Sequence, residues 1–221
     1  MDEDIRERLG QSLMDRQAID RLSRYVSMVF EEPMNLTGFN RREFWAKGVL
    51  DALSLLPWAG EVATAGRCVD VGSGSGLPGM VLAVARPKWQ WTLVESRTRR
   101  ADFLERAAEV LGLDNVSVEG RRVEEWLRAV PGVRQGFRLA TARAVAPVLA
   151  AAELTLPLVA VGGRSLLPVS GHSLAELAGE ASFIRKLGGE LLLDDGNVAI
   201  LIKKGLTPLE FPRKGKKMGQ V

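Results

Sequence analysis

Residues 68–80, "CVDVGSGSGLPGM", decide the fold. An apolar run from Cys68 to Val71 leads into four glycines within eight positions, Gly72, Gly74, Gly76 and Gly79. Glycine loses more conformational freedom on ordering than any other residue, so this density marks a turn where the backbone is approached closely. A strand that enters such a turn and then opens a helix points backbone amides into a crevice at the carboxyl end of the strands. Open α/β sheets bind their ligands there. Glu95 ends the next apolar run, 21 residues after Gly74, where a carboxylate takes the hydroxyls of a ribose.

Two ligand classes meet these requirements. Gly74, Gly76 and Gly79 fit the G-x-G-x-x-G spacing of dinucleotide sites. Asp70 to Gly76 reads D-x-G-x-G-x-G, which resembles the loop of S-adenosyl-L-methionine-dependent methyltransferases. The chain outward from the loop bears on the choice. From Arg67, β-type runs ("RCVDV", "WQWTLVES", "NVSVEG", "FRLATA", "RSLLPV", "GELLLDD", "NVAILIKK") alternate with helical patterns. The helices are expected over Gly79–Ala85, Thr98–Leu111, Val123–Ala129, residues 147–159 and residues 173–187. That alternation implies α/β architecture, a parallel sheet covered on both faces. A tight turn separates the last two runs, so the final strand is expected to be antiparallel. Seven strands closing in a hairpin are the Rossmann-like class I methyltransferase arrangement, whereas dinucleotide folds continue in parallel. A dinucleotide-dependent oxidoreductase stands as the alternative.

Upstream, residues 12–32 place Leu13, Ile19, Leu22, Val26 and Val29 at helical spacing, and Pro33 ends the run. A second helix is expected over residues 41–57, stopping at Pro57. Three regions follow: an N-terminal helical cap (1–60), a donor-binding core (61–204) and a basic C-terminal tail (205–221).

At 46% hydrophobic residues, the 221-residue chain can bury a sizeable core. The lone Cys68 excludes an intramolecular disulfide framework, and no Cys/His cluster suggests a metal. The acid-rich start, "MDEDIRERLG", lacks the apolar run of a secretory signal. The most apolar long stretch, residues 144–163, carries Glu153, Pro147 and Pro157 and reads as a buried helix with its flanks rather than a membrane span. A cytoplasmic protein without membrane association is expected. Net charge is only +3, yet residues 203–221 hold six bases against one acid. That tail reads as an extended arm, either reaching a polyanion such as nucleic acid or simply solvated.

Several stretches together resemble one family. "NLT" (35–37), "DVGSGSGLPG" (70–79), "LVESRTRRADFL" (93–104), "RVEEW" (122–126), "ARAVA" (142–146) and "TPLEFPRK" (207–214) are similar to the RsmG (GidB) family. Its members are bacterial methyltransferases that form 7-methylguanosine in 16S ribosomal RNA. The resemblance implies that Asp70, Gly72, Ser73, Gly74, Gly76 and Glu95 hold S-adenosyl-L-methionine, with Val123 and Glu124 beside its adenine. It places Arg99, Arg122 and Arg143 on the RNA side, with Asn35 and Arg143 orienting the reacting base. The bland readings are a helix-capping Asn35 and a solvated Arg99. The implied partner is 16S ribosomal RNA or the 30S subunit, bound by a monomer. A non-catalytic RNA-binding or ribosome-assembly factor on the same fold is the alternative of a different class. The chain also departs from the family pattern. Gly48, Ser170 and Asn197 stand where cationic groups are usual, and Arg138 where an aspartate often opens the fourth strand. His172, the only histidine, matches no catalytic position.

Overall fold

Strand β1 (Arg67–Val71) is buried at every position after Arg67, as a central strand covered on both faces must be. The computed structural model describes residues 3–11, 15–59, 66–143, 147–169, 171–193, 197–215 and 218–219. Around β1 it forms a seven-stranded sheet with β2 (Gln90–Val94), β3 (Val116–Glu119), β4 (Phe137–Ala142), β5 (Val159–Pro168), β6 (Gly189–Leu193) and β7 (Val198–Lys203). The order is β3-β2-β1-β4-β5-β7-β6. β1 to β5 pair in parallel, and β7 runs antiparallel to both of its neighbours. The alternating pattern and the closing hairpin are therefore as expected.

Side-chain alternation divides the core in two. Cys68, Leu93, Leu139, Leu166 and Ile200 face one layer, with the N-terminal helices and the helices Gly79–Ala85 and Thr98–Leu111. Val69, Val94, Ala140, Leu167 and Leu201 face the other, under the helices Val123–Ala129, Val148–Thr155 and Ala181–Lys186. Successive strand residues point to opposite faces, and this parity is what separates the two layers.

Several boundaries differ from the sequence reading. The helix expected over 147–159 ends at Thr155: Leu156 still holds helical φ −59, ψ −35, but Pro157 has no N–H for the next intrahelical bond. β5 consequently starts at Val159, not at Arg164. The helix expected over 173–187 is two, Gly171–Gly179 and Ala181–Lys186, since Glu180 at φ −105, ψ 33 leaves the helical region. An unanticipated helix, Glu3–Gln11, precedes the rest. The next helix begins at Arg16 behind Asp15, whose carboxylate accepts from Ala18 N at 2.7 Å; Leu13 lies outside the described residues. Asn40 and Glu43 form a reciprocal cap on the following one. Its middle widens into a π-helical stretch, Phe44–Leu50, and the helix stops at Leu53. Pro57 sits inside a further short helix, Leu56–Ala59, where the first turn tolerates proline. The C-terminal segment is no free arm. Phe211 and Thr207 are buried, and Arg134 donates to the carbonyls of both.

The N-terminal helices reach the glycine turn directly, for the Tyr25 hydroxyl donates to Ser75 O at 2.6 Å. Beneath the turn, a Cβ on Gly79 would stand 2.4 Å from Leu93 Cδ2 and 2.7 Å from Asp70 Cβ. Gly79→Ala is therefore expected to cost about 2 kcal/mol by overpacking. Gly120→Ala, with nothing within 4 Å of its Cβ, should be near neutral. Urea unfolding of the two variants checks the contrast.

Candidate active site

The glycines after β1 divide their work. Gly72 and Gly74 turn the chain at φ 69 and 58, a backbone conformation that resists side chains. Gly72 lines a pocket of about 410 Å³ at the carboxyl end of β1 and β2. Gly76, at φ 105, instead makes room for the protein: its Cβ would lie 2.8 Å from the Tyr25 hydroxyl. Gly76 thus packs the loop onto the N-terminal helices.

Asp70 likewise acts beneath the loop. It is fully buried. One oxygen accepts from Thr141 Oγ1 at 2.7 Å and the other from Gly79 N at 3.2 Å. Ser73, also buried, donates its hydroxyl to Asp70 O at 3.0 Å. Both residues shape the cradle from below. Burial pushes the Asp70 carboxyl up to about 6, against the hydrogen bonds from Thr141, Ser73 and Gly79.

Glu95 stands at the pocket itself. Its Oε2 accepts from Gly74 N at 3.0 Å and its Oε1 from Arg97 N at 2.8 Å. These bonds fix the carboxylate while leaving each oxygen further acceptor capacity. Val123 and Glu124 line the same pocket from the start of the helix after β3. Arg122 is 66% exposed on its rim, with one guanidinium nitrogen 3.9 Å from Glu124 Oε1. Arg97, Arg100 and Arg121 line it as well.

A second pocket of about 610 Å³ is lined by Asp51, Pro78, Arg143, Pro147 and Asn197 among others. Arg143 lies over the Phe39 ring at 5.5 Å. Burial draws its pKa down, while Asp51, Asp70 and Tyr25 favour its charge. Asn35 is exposed in the loop that carries Phe39; its Oδ1 accepts from Thr37 N at 3.2 Å, and Thr37 Oγ1 accepts from Phe39 N. Asn35 therefore closes a turn that presents Phe39 to Arg143, and the helix cap is Asn40. Arg99 lies apart, with Arg106 and Met34 in a third hollow. Gly48 is buried, and its Cβ would meet Leu77 Cδ1 at 3.0 Å. In this chain that position is a packing site, not one for a surface charge. Ser170 and Ala144 to Ala146 of "ARAVA" lie outside the described residues.

Sequence reasoning missed Arg97, Arg100, Arg121 and Asp51, and it missed Gly215 and Met218, which close the first pocket from the C-terminal segment. Helix phase carried a signal for one pair. The helix after β2 starts at Thr98, so Arg97 and Arg100 lie on the turn facing the strand end.

A loop and sheet of this kind, with an acidic residue ending the second strand and an antiparallel strand inserted at one edge, define a class I methyltransferase fold. The branched-chain polyamine synthase of Thermus thermophilus, solved with N4-aminopropylspermidine and 5′-methylthioadenosine, superposes with a TM-score of 0.58 at 18% identity. The match covers 86% of this chain and 55% of that one. Sequence comparison is more specific. Residues 18–192 match the family model for rRNA small subunit methyltransferase G. The ribosomal RNA small subunit methyltransferase G of Sorangium cellulosum is 37% identical, over 90% of this chain and 85% of its own length. The enzyme of that name from Symbiobacterium thermophilum is 39% identical, over 84% and 81%. The chain belongs to the rRNA small subunit methyltransferase G family.

The buried Asp70 yields a pH test. Its pKa is higher folded than the roughly 3.9 of an unfolded aspartate, so between the two values the folded state holds the extra proton. The stability this contributes is present at low pH and is lost as pH rises through about 6. Asp70→Asn cannot ionise, so it should gain on wild type by about 2 kcal/mol between about pH 4.5 and pH 7.5. Urea unfolding of both proteins at the two pH values measures that difference.

Proposed function

We propose that the protein transfers the methyl group of S-adenosyl-L-methionine to N7 of a guanine in small-subunit ribosomal RNA. The observation that carries the reading is the fixed Glu95 carboxylate at the mouth of a glycine turn, in a chain of this family. The residues present suit the donor. Gly72 and Gly74 keep the cradle free of side chains, Glu95 retains lone pairs for ribose hydroxyls, and Val71, Val94 and Val123 supply apolar walls. When bound, the donor supplies an electrophilic methyl group.

This chain's own work is binding and alignment. Guanine N7 is an acceptor with an available lone pair on the major-groove edge, so no base need deprotonate it. The side chains agree with that demand. Cys68 lies buried in β1, and burial pushes its thiol up to about 12, away from the thiolate a nucleophile needs. His172 is exposed and lines neither pocket. In this reading Arg143, which lies over Phe39 and lines the second pocket with Asp51, fixes the base. Arg97, Arg121 and Arg122 on the rim, with Arg99 beyond it, supply planar donors for phosphates. Among the described residues no helix is long and apolar enough to cross a membrane, and the reading assigns the protein to the cytoplasm, where its substrate is assembled.

The test is methyl incorporation from labelled S-adenosyl-L-methionine into under-methylated 30S particles, with 7-methylguanosine mapped in the product. Single-turnover rates should stay nearly flat between about pH 6.5 and pH 8.5, because neither arginine nor N7 titrates there. Cys68→Ala should retain most activity. Arg143→Ala should lower the rate at least about tenfold while donor affinity, read by calorimetry, is unchanged. Label that appears on a carbon atom, or a rate climbing tenfold per pH unit, rejects the N7 reading.

A further inference from the structure

Glu153 is the single charged residue of the most apolar stretch of the chain, and it is fully buried. Unpaired, a carboxylate there would be very costly. Its donors come from the far end of the chain. Oε1 accepts from Arg213 N at 2.6 Å and from Arg213 Nε at 3.1 Å. Oε2 accepts from the Arg213 guanidinium at 2.8 Å and from Gly219 N at 2.8 Å. Burial alone would raise the Glu153 pKa, but the hydrogen bonds from Arg213 and Gly219 outweigh it and hold the carboxyl below its usual range. The Arg213 guanidinium also lies over the rings of Phe183 and Phe211, at 5.2 and 5.1 Å. At φ 70, Gly219 sits so close to the helix that a Cβ would come within 2.7 Å of Ala150 N.

One carboxylate thus grips the segment at two points, Arg213 and Gly219. Gly215 and Met218, which lie between them, line the 410 Å³ pocket together with Leu154, the neighbour of Glu153. Arginines and acids make up much of the remaining lining, so Met218 and Leu154 are an appreciable part of what it offers to an apolar ring face.

We infer that the C-terminal segment is a wall of the donor site, held in place by Glu153 as a positioning residue. The inference rests on the donor reading above. If only the docked form offers the complete pocket, donor affinity is scaled by the docked fraction, and by linkage the bound donor holds the segment down. Met218 is the contact group. Glu153 acts through Arg213 and Gly219.

The experiment uses the full-length protein and S-adenosyl-L-methionine. Met218→Ala leaves the Glu153 pair intact, and its donor affinity by calorimetry should fall about fivefold, the scale of a partly buried side chain. Glu153→Gln, where circular dichroism shows it folded, should bind about tenfold more weakly, because it loses the charged bonds that dock the segment. A purely structural Glu153 would not give the second readout: saturating donor should slow tryptic release of the residues after Lys214 in the wild type by about tenfold. Unchanged affinity in Met218→Ala, or a release rate indifferent to donor, overturns the inference. A wild type that binds no S-adenosyl-L-methionine refutes the donor reading instead.

Discussion

The carboxylate of Asp70 is wholly buried, and the architecture around it follows from that burial. Its two oxygens are taken by Thr141 on β4 and by the first amide of the helix after the glycine turn. One group therefore joins two strands and a helix at the place where the chain reverses. The β1–β4 register sets Asp70 opposite Thr141, so the bond is built into the strand pairing. Burial makes the charge costly, and the donors offset only part of the cost. That cost is tolerable because the same carboxylate fixes the turn whose upper surface forms the pocket. With both Asp70 oxygens bonded within the protein, the pocket surface itself is formed one layer further out, by Glu95, the rim arginines and the apolar walls.

The N-terminal helices are tied to this centre as well. Tyr25 reaches Ser75 O, and its hydroxyl occupies the space that a side chain at position 76 would need. Arg143 shares the local field with Asp70, Asp51 and Tyr25. The helical cap and the sheet thus meet over one polar cluster. The π-helical stretch Phe44–Leu50 immediately precedes Asp51, and such widened turns are frequent at functional sites.

The sheet was legible because its strands are short apolar runs bounded by glycines and polar turns, and because β7 follows β6 too closely for a crossover. The glycine turn was equally plain. Its division of labour was not, since Gly72 and Gly76 look alike in sequence and differ only in what stands opposite them. Asn35 and Asn40 show the same limit. Either could cap a helix, and only the reciprocal bond with Glu43 identifies Asn40. Glu153 was conspicuous as an acid in an apolar run, but its partner, Arg213, lies 60 residues away in a tail whose charge suggested solvent. Pairings over such separations depend on tertiary geometry that local periodicity does not encode. Helix ends at Thr155 and Leu53 were misplaced for a simpler reason: one helix was read through Pro157 and the other up to Pro57, whereas the chain leaves each helix before its proline.

The position of β7 has a consequence for biosynthesis. β5 lies inside the finished sheet, between β4 and β7, yet β7 is the last of the seven strands in chain order. As the polypeptide leaves the ribosome, β5 has its β4 partner early. Its other edge must then wait through residues 169–197 before Val198–Lys203 is made. During that interval Leu166 and Leu167, which turn to opposite faces of the sheet, border a row of unpaired backbone groups. An apolar open edge of this kind is a template for pairing with another chain. β6 cannot close it, because β6 joins the sheet only through β7. The nascent chain is thus most exposed to mispairing between the emergence of β5 and that of β7, and insertion of β7 removes the edge of β5 and anchors β6 in one step.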